Sequence, residues 1–437
     1  MKIALINPDY RYKAYRASTD YVYLGGIAYV SACLKAQGHD VVHIDFKHDE
    51  SASLESAADC DVIGISTYIN SYAFLKDALP KLKGNGKIVV VGGPLVSSYG
   101  MDSNNLLMNE FPEIDYAVIG EGEKTICGLV RRIEDGSTSI PRGVVFRKGD
   151  LIGATQGSPD IVTDLDSLPA IPYLDWKGFV RNAKHQTLTV QTSRGCYNAC
   201  SFCFTGMHPG VRSFSLPRIE QDLETAVRLM EPRQLNFEDQ SFTYDFLRAE
   251  QITRIVLSTA KNLGLDLGYY IQARVSDINP DLARALEETG CAGVKLGVES
   301  FDKEILRRAG KNITPEQIYS AVNTVRNAGM KAIGFIIVGL PGENRRTLDA
   351  TIDAVRCTGM IARPRVLIPL PGTAIYDKAV REGMIDEVEL LRLLSTPECF
   401  DTTEGSWVPV NMSDGLTDQE LLDARDEINR LGETFER

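Results

Sequence analysis

Short apolar runs alternate with amphipathic segments along the first 150 residues of the chain. The runs are rich in Val and Ile, which is typical of buried parallel strands, and read KIALINP, DVVHIDF, DVIGIST, KIVVVGGP and IDYAVIGEGE. Segments with the apolar spacing of helices lie between them. This βα alternation predicts an α/β fold with a doubly wound, Rossmann-like domain over residues 1–150. Ligands on such sheets bind at the carboxyl ends of the strands.

A second alternation begins near residue 187, after a predicted hairpin with its turn at Lys148–Asp150 and a Pro- and Asp-rich linker over residues 151–185. Its predicted strands read LTVQTS, QLNFED, GYYIQARV, AGVKLGVES, KAIGFIIVG and RPRVLIPL. Six βα units predict a partial (β/α)6 barrel over residues 186–375, with functional groups at the carboxyl ends of its strands. Residues 376–437 are predicted to form a C-terminal helical extension.

Composition and charge disfavour several classes of protein, namely nucleic-acid-binding, membrane-spanning and secreted proteins. The chain of 437 residues has 43% hydrophobic residues, 24% charged residues and a net charge of −12. No basic stripe is present, so we expect no nucleic-acid partner. No apolar run is long enough for a membrane span. The N-terminal apolar run is short and followed by Pro and Asp, which is a poor signal peptide, so we expect a cytoplasmic protein.

Nine cysteines are present, and three of them lie within eight residues in the stretch TSRGCYNACSFCFTG. Cys196, Cys200 and Cys203 have the spacing C-x3-C-x2-C and follow the first predicted barrel strand. A zinc site with His208 as the fourth ligand is one interpretation, in a zinc-stabilised binding protein, and three unrelated thiols are another. A [4Fe–4S] cluster is the third, in which three thiolates leave one iron open to a small molecule.

The third interpretation is favoured because the run resembles the signature of the radical S-adenosylmethionine (SAM) superfamily, with Phe202 directly before the third cysteine. The resemblance implies that the three cysteines hold the cluster and that SAM is cleaved reductively to a 5′-deoxyadenosyl radical. Other stretches fall at the expected strands: NFEDQSFT, QARVS, LGVES and GFIIVGLPGE. The SAM contacts that the resemblance implies are Phe202, Glu238, Arg274, Glu299, Lys311, Gly339 and Pro341.

Some of these residues have a plainer interpretation. A Glu or Arg at the end of a parallel strand can belong to a structural ion pair. Glu238 and Asp239 could be a general acid–base pair, but adjacent side chains on a strand point to opposite faces, so we expect no cooperating dyad.

The N-terminal half resembles the cobalamin-binding domain of cobalamin-dependent radical SAM enzymes. The resemblance implies cobalamin contacts in the stretches GIST, VVVGGP and GEGE, namely Ser66, Thr67, Gly92, Gly93, Pro94, Gly120 and Glu121. Small residues at three adjacent strand ends would form a flat-bottomed cleft for a wide macrocycle. The chain lacks the D-x-H-x-x-G pattern of one cobalamin class, and a lower-ligand role for His43 is disfavoured.

The resemblance implies a biosynthetic enzyme that contains an iron–sulfur cluster and transfers a methyl group. It would be a cobalamin-dependent C-methyltransferase that acts on a small molecule. A reducing partner such as flavodoxin or ferredoxin would supply electrons. The alternative is an enzyme of the same architecture that catalyses a rearrangement, dehydration, cyclisation or oxidation. Methylthiotransferases that modify tRNA are a further alternative, because Cys33, Cys60 and Cys127 could hold a second cluster.

Overall fold

The computed structural model describes a chain that divides into two compact units. The first comprises Met1–Lys184 and Glu387–Pro397, and the second comprises His185–Asp386 and Glu398–Arg437. The described residues are 1–8, 21–22, 25–47, 49, 51–84, 86–103, 105–137, 139–176, 186–204, 210–393 and 410–435. No helix in these ranges combines the length and the apolarity that crossing a bilayer requires.

The first unit contains a sheet of seven strands in the order β3-β1-β4-β5-β6-β7-β8. A further two-residue strand, β2, covers Tyr21–Val22. The strands of the sheet are β1 (Lys2–Asn7), β3 (Asp40–Asp45), β4 (Val62–Ser66), β5 (Ile88–Gly92), β6 (Tyr116–Val118), β7 (Val144–Lys148) and β8 (Leu151–Ala154). β1, β3, β4, β5 and β6 are parallel. This order reverses between β1 and β4, as in doubly wound sheets that bind ligands at such a switch point.

Both faces of this sheet are covered, which explains why its strands read as continuous apolar runs. In β1, Ile3 and Leu5 pack into the core on one face, whereas Ala4 and Ile6 pack into the core on the other. The helices that supply these cores are α1 (Gly25–Ala36), α2 (Tyr72–Leu82), α3 (Pro94–Ser103), α4 (Asn105–Glu110) and α5 (Gly122–Asp135). The predicted doubly wound fold is confirmed.

The predicted hairpin forms β7 and β8, and it extends the sheet because β7 pairs antiparallel with β6. β8 lies within the stretch 151–185 that was expected to be a linker. Hairpin sequences show their own turn, but they do not show which neighbouring strand their edge will join.

The second unit contains six neighbouring parallel strands in the order β9-β12-β13-β14-β15-β16. They are β9 (Thr187–Val190), β12 (Gln234–Phe237), β13 (Gly268–Ala273), β14 (Cys291–Glu299), β15 (Lys331–Val338) and β16 (Ile361–Val366). β10 (Ser193–Arg194) and β11 (Arg212–Ser213) form a short antiparallel pair. Strand order that follows chain order confirms the predicted partial barrel.

Helices follow the barrel strands and cover their apolar face. They are α6 (Leu216–Met230), α7 (Phe246–Leu263), α8 (Pro280–Glu288), α9 (Lys303–Arg308), α10 (Pro315–Asn327), α11 (Arg345–Thr358) and α12 (Ala374–Arg381). In β14, Val294, Leu296 and Val298 are fully buried, whereas Lys295 and Gly297 on the opposite face are partly accessible. The sheet therefore has an apolar outer face and a more polar inner face.

Two helices lie in the described residues 387–393 and 410–435, and they have different roles. α13 (Glu387–Leu393) belongs to the first unit, where Arg392 donates to the Tyr72 hydroxyl and to Glu110, both at 3.3 Å. α14 (Asp418–Glu433) packs on β16, and a Cβ on Gly432 would lie 2.5 Å from the Ala362 nitrogen. Gly432 is therefore required by the close approach of helix and strand.

Candidate functional site

The three clustered cysteines lie on one loop directly after β9, at the carboxyl end of the barrel. Cys196 is buried, and Cys200 and Cys203 are partly accessible. Burial raises the pKa of the Cys200 thiol. In the part of the chain that the structure describes, no group of three or more His, Cys, Asp or Glu side chains is arranged to hold a metal ion. His208 lies outside the described residues, and cluster ligation by the three cysteines stays a prediction.

A buried carboxylate anchors the start of this loop. Asp239 is fully buried, and it accepts hydrogen bonds from the Thr192 hydroxyl at 2.7 Å, the Thr192 nitrogen at 3.1 Å and the Ser193 hydroxyl at 2.5 Å. The next residue, Gln240, accepts from the Gly195 nitrogen at 2.7 Å. Burial raises the pKa of Asp239. These two side chains fix the backbone that leads into Cys196, a role that sequence reasoning missed.

The residue after Cys196 links the loop to the ends of neighbouring strands. The Tyr197 hydroxyl donates to the Asp277 carboxylate at 3.0 Å, and Asp277 also accepts from the Thr243 hydroxyl at 2.9 Å. Arg274 stacks on Tyr197, with its guanidinium carbon 4.5 Å from the ring centroid. The Nε of Arg274 is buried and has no hydrogen-bond partner among the described residues. Arg274 therefore retains a buried donor beside the loop.

Two helix ends hold the middle of the loop. The Ser201 nitrogen donates to the Ala309 carbonyl and its carbonyl accepts from the Ile375 nitrogen, both at 3.0 Å. Gly310 has a positive φ of 70°, and a Cβ there would lie 3.2 Å from the Ala199 carbonyl oxygen. Phe202 packs against an apolar cluster. The end of α9 and the start of α12 thus position the second and third cysteines.

Glu299 and Lys311 form a buried ion pair at the end of β14. Lys311 Nζ donates to Glu299 Oε1 at 2.7 Å, and only 10% and 8% of the two side chains is exposed. Burial lowers the pKa of Lys311, but the adjacent Glu299 carboxylate outweighs it and the net shift is upward. A Cβ on Gly297 would lie 2.4 Å from Lys311 Nζ and 2.8 Å from Glu299 Oε1. The glycine in LGVES therefore makes the space that the ion pair occupies, which sequence reasoning also missed.

The turn after β15 contains the two residues predicted to approach the adenine, Gly339 and Pro341. Gly339 has φ 89°, which favours glycine, and its nitrogen donates to Glu343 Oε2 at 2.5 Å. Glu343 is 1% exposed, and burial raises its pKa to about 7. Its second oxygen, Oε1, is buried and has no hydrogen-bond partner within the described ranges. Glu343 belongs to the quoted GFIIVGLPGE stretch, but the sequence did not show that it braces the turn.

Glu238 and Asp239 point to opposite sides, as their adjacency predicts. Glu238 accepts from Asn236 Nδ2 at 2.5 Å and from Gln272 Nε2 at 2.9 Å, whereas Asp239 binds the cysteine loop. Among the residues that the structure describes, the two carboxylates share no hydrogen-bond partner. A cooperating dyad is therefore not formed, and contact of Glu238 with SAM stays a prediction.

In the first unit, the predicted cobalamin contacts lie at the ends of β4, β5 and β6, which are adjacent in the sheet. The Thr67 hydroxyl is buried and donates to the Gly92 carbonyl at 2.8 Å. Gly93 has φ 97°, and a Cβ there would lie 2.8 Å from the Thr67 carbonyl oxygen and 3.1 Å from Ser66 Oγ. These residues form a close-packed floor made largely of backbone.

The remaining predicted contacts differ in their surroundings. Pro94 is exposed at the start of α3. Gly120 has φ 79°, and a Cβ there would lie 3.2 Å from Pro159. Glu121 Oε2 accepts from the Val162 nitrogen at 2.6 Å, so one carboxylate oxygen binds the stretch that was expected to be a linker.

Two asparagines that sequence reasoning missed lie at the same edge of the sheet. Asn7 ends β1 at the switch point and donates to Asp45 Oδ2 at 3.1 Å. The Oδ1 atoms of Asn7 and Asn70 are buried and have no hydrogen-bond partner among the residues described. A buried amide oxygen without a donor is costly, so these two atoms mark acceptors that a ligand could satisfy.

His43 lies in contact with a helix and with the end of the Pro- and Asp-rich stretch. Its Nε2 lies 3.0 Å from the Ser31 hydroxyl and 3.3 Å from Asp175, and its ring centroid is 4.4 Å from that of Trp176. Burial lowers the pKa of His43 to about 4, so the ring is neutral at physiological pH. These contacts occupy Nε2 within the unit, whereas Nδ1 is buried with no hydrogen-bond partner among the described residues, so the role of His43 stays a prediction.

The three cysteines considered for a second cluster are separated by the sheet of the first unit. Cys60 packs into the core on one face, and Cys33 and Cys127 pack into the core on the other. A hydrogen bond from Cys33 lowers the pKa of Cys127. One cluster cannot be ligated by thiols on both faces of a packed sheet, so the arrangement does not favour this alternative.

Two family models match the chain, one in each half. The model described as a B12 binding domain matches residues 18–130, and the model described as the radical SAM superfamily matches residues 190–355. The two matches fall on the two alternations of strands and helices. They confirm the predicted types of domain and the cofactor classes that these domains imply.

Relatives and solved structures extend the likeness over most of the chain. An uncharacterized methyltransferase of Pyrococcus horikoshii is 29% identical over 374 residues, which is 82% of this chain and 79% of the relative. An anaerobic magnesium-protoporphyrin IX monomethyl ester cyclase of Rubrivivax gelatinosus is 24% identical over 97% of this chain and 76% of its own length. The structure of TsrM from Kitasatospora setae, a radical SAM methyltransferase, matches with a TM-score of 0.69 at 18% identity, over 87% of this chain and 75% of that one. The last match confirms the fold.

Proposed function

We propose that the chain methylates a carbon atom of a small-molecule metabolite in a cobalamin-dependent reaction, since the radical SAM superfamily model matches residues 190–355 and the B12 binding domain model matches residues 18–130. When bound, the cluster with SAM supplies a 5′-deoxyadenosyl radical and cobalamin supplies the methyl group. The observation that carries the proposal is the C-x3-C-x2-C loop at the end of β9, anchored beside Arg274 and the Glu299–Lys311 pair.

The residues around the loop fit a cluster that binds SAM. Cys196, Cys200 and Cys203 provide three thiols, the ligand type that iron–sulfur clusters require, on a backbone fixed by hydrogen bonds. Lys311 and Arg274 are cationic and suit the carboxylate of SAM. We assign Glu299 to the positively charged part of SAM, because a buried carboxylate favours a cation next to it.

The first unit fits a ligand that donates hydrogen bonds at the switch point of its sheet. The buried Oδ1 atoms of Asn7 and Asn70 are acceptors, and the amide groups at the edge of a corrin ring are donors. The floor of Thr67, Gly92 and Gly93 has no long side chain to obstruct a planar ring. We assign this edge to cobalamin, with Asn7 and Asn70 added to the residues predicted from sequence.

A second candidate function keeps the same cofactors without net methyl transfer. The Rubrivivax gelatinosus relative, which spans 97% of this chain, is a cyclase. A ring closure starts from the same abstraction of hydrogen from carbon, so the residues around the cysteine loop would serve both reactions. The difference lies in whether the methyl group reaches the substrate.

The cluster assignment is tested with paired cysteine variants. Anaerobically reconstituted wild-type protein should hold about four iron atoms per chain and should form 5′-deoxyadenosine from SAM when flavodoxin or ferredoxin supplies electrons. Cys200→Ala should lose both properties. Cys357→Ala changes an exposed thiol on α11 and should keep them. Deoxyadenosine formation by Cys200→Ala would refute the assignment.

Methyl transfer is tested with cobalamin and labelled SAM. Titration of cobalamin into the apoprotein should give a saturable change of the corrin spectrum, weakened in Asn70→Leu. Trideuteromethyl-SAM should transfer its label to a metabolite in the presence of cobalamin. Cobalamin binding with an unlabelled, cyclised product would favour the second candidate function.

A further inference from the structure

A cluster of polar side chains lies on the inner face of the second unit's sheet and includes Glu238, which directly precedes the Asp239 that anchors the cysteine loop. It consists of Asn236 and Glu238 at β12, Gln272 on β13 and Lys295 on β14, and we call these four residues the inner cluster. Gln272 and Lys295 are paired in register on adjacent strands. Nothing in the sequence motifs singled out Lys295.

Hydrogen bonds connect the four side chains in a single chain. Lys295 Nζ donates to Asn236 Oδ1 at 2.6 Å, and Asn236 Nδ2 donates to Glu238 Oε1 at 2.5 Å. Gln272 Nε2 donates to Glu238 Oε2 at 2.9 Å. Each Glu238 oxygen thus accepts one amide donor, whereas the ammonium uses one of its three donors within the cluster.

The environment makes a purely structural lysine costly. The interiors of parallel barrels are normally filled by branched apolar side chains, and a partly buried ammonium loses hydration. Burial lowers the pKa of Lys295, and Glu238 offsets only part of the effect. Lys295, Gln272 and Glu238 all remain partly accessible, although the opposite face of the sheet is covered by helices. Their accessible atoms therefore lie on the inner face.

A second observation on the same face is a buried hydroxyl group that has no hydrogen-bond partner among the described residues. The Thr189 hydroxyl on β9 is buried and has no hydrogen-bond partner within the described part of the chain. Thr189 is paired in register with Asn236, so its side chain lies on the same face as the inner cluster.

The inner cluster lies below the ion pair that we assign to SAM. Lys295 precedes Glu299 by four residues on β14, which is about 13 Å along a strand. Gly297 lies between them, and the Glu299–Lys311 pair occupies the space over it, so the ion pair lies directly above the inner cluster. A substrate bound at Lys295 would therefore reach upward toward the site where the radical forms.

We propose that the inner cluster binds an anionic oxygen group of the substrate, a carboxylate or a phosphate, with Lys295 as the donor. This inference rests on the proposed function and adds the chemical class of the substrate. Arg363 and Arg365 follow the same alternation on β16 and add positive charge to the inner face. An anion at Lys295 would replace the hydration that the ammonium loses on burial.

The test measures the reactivity of Lys295 toward a limiting amine-acetylating reagent, with peptide mass spectrometry as the readout. Inorganic phosphate and acetate, each at tens of millimolar and constant ionic strength, are the two probes. We expect at least one of them to slow acetylation of Lys295 by about tenfold, the protection given at that concentration by an anion whose dissociation constant is on the order of a few millimolar. The exposed Lys331 on β15 is the internal control and should not respond.

A variant separates a binding role from a structural one. Gln272→Glu places a second carboxylate beside Lys295, so protection by either anion should disappear while the circular dichroism spectrum stays that of the wild type. Protection by phosphate alone assigns a phosphate, and protection by acetate assigns a carboxylate. The inference is overturned if the anions change the acetylation of Lys295 and Lys331 equally. It is also overturned if protection of Lys295 survives Gln272→Glu.

Failure of the inference is distinguishable from failure of the proposed function. The same reconstituted protein is assayed for reductive cleavage of SAM without substrate. Normal cleavage with no anion protection refutes the role of the inner cluster and leaves the proposed function in place. Anion protection without cleavage refutes the proposed function.

Discussion

Glu343 provides a sharp test of how the turn that is predicted to approach the adenine is held. Its carboxyl group is 1% exposed, one oxygen accepts from the Gly339 nitrogen at 2.5 Å, and burial raises its pKa from an ordinary 4.5 to about 7. Glu343→Gln keeps the shape and an acceptor oxygen but cannot ionise. The variant therefore isolates the cost of the buried charge.

The pKa shift gives the size and the sign of the effect. A shift from 4.5 to about 7 corresponds to a free energy of about 3 kcal/mol. Because the folded pKa is raised, the contribution of Glu343 to stability is fully present below pH 4.5 and is lost as the pH rises through about 7. Glu343→Gln cannot ionise, so the variant does not lose this stability. The free energy of unfolding of the variant, relative to that of the wild type, should therefore increase by about 3 kcal/mol as the pH rises across that window.

The assay must report on the second unit alone, because a chain of two compact units need not unfold in one transition. Hydrogen exchange of the β15 amides during urea unfolding, at about pH 5 and about pH 8, gives that free energy. Glu220→Gln on α6 makes the same chemical change at an exposed position and should show no such trend. A Glu343→Gln difference that does not change with pH would refute the buried-charge argument.

Further predictions concern the cysteine loop and the ion pair. Gly297→Ala should displace the Lys311 ammonium from Glu299 and weaken SAM binding by about tenfold in calorimetry, with unchanged iron content. Gly268→Ala is its control, because the nearest described atom to an added Cβ there, the Ala292 Cβ, lies 4.0 Å away. Asp239→Asn should lower the iron content after reconstitution, since the amide donates where the carboxylate accepts from two hydroxyls and a backbone nitrogen. If Asp239→Asn binds the full amount of iron, other contacts must hold the cysteine loop in place.

Much of the second unit could be predicted from sequence because its determinants are local. The cysteine spacing, the strand before it and the order of βα units are all visible in short stretches of residues. A glycine such as Gly297 is also visible, but the need for it is set by Lys311, which follows fourteen residues later and reaches back to the strand. The sequence alone does not show that the two meet.

The residues that sequence reasoning missed act through contacts between distant segments. In the sequence, Asp239 was considered together with its neighbour Glu238 as a possible general acid–base pair. In the structure its hydrogen-bond partner is Thr192, 47 residues earlier in the chain. Glu121 was predicted to contact a ligand, and it binds the backbone of Val162. In both cases the type of residue was noticed, but its partner depends on how strands are ordered in the sheet.

Glu299 combines a strained backbone conformation at the end of β14 with a side chain that belongs to the buried ion pair. Glu299 has φ 67°, a conformation that is unfavourable for a residue with a side chain, and the β14–β15 register shifts between Gly297 and Glu299. Such bulges redirect a side chain at the end of a strand. Here the redirected carboxylate meets Lys311 instead of solvent, and the positive φ carries a backbone cost of about 1–3 kcal/mol. A glycine would relieve the strain without supplying the carboxylate, so the presence of Glu at this position argues that the carboxylate itself is needed.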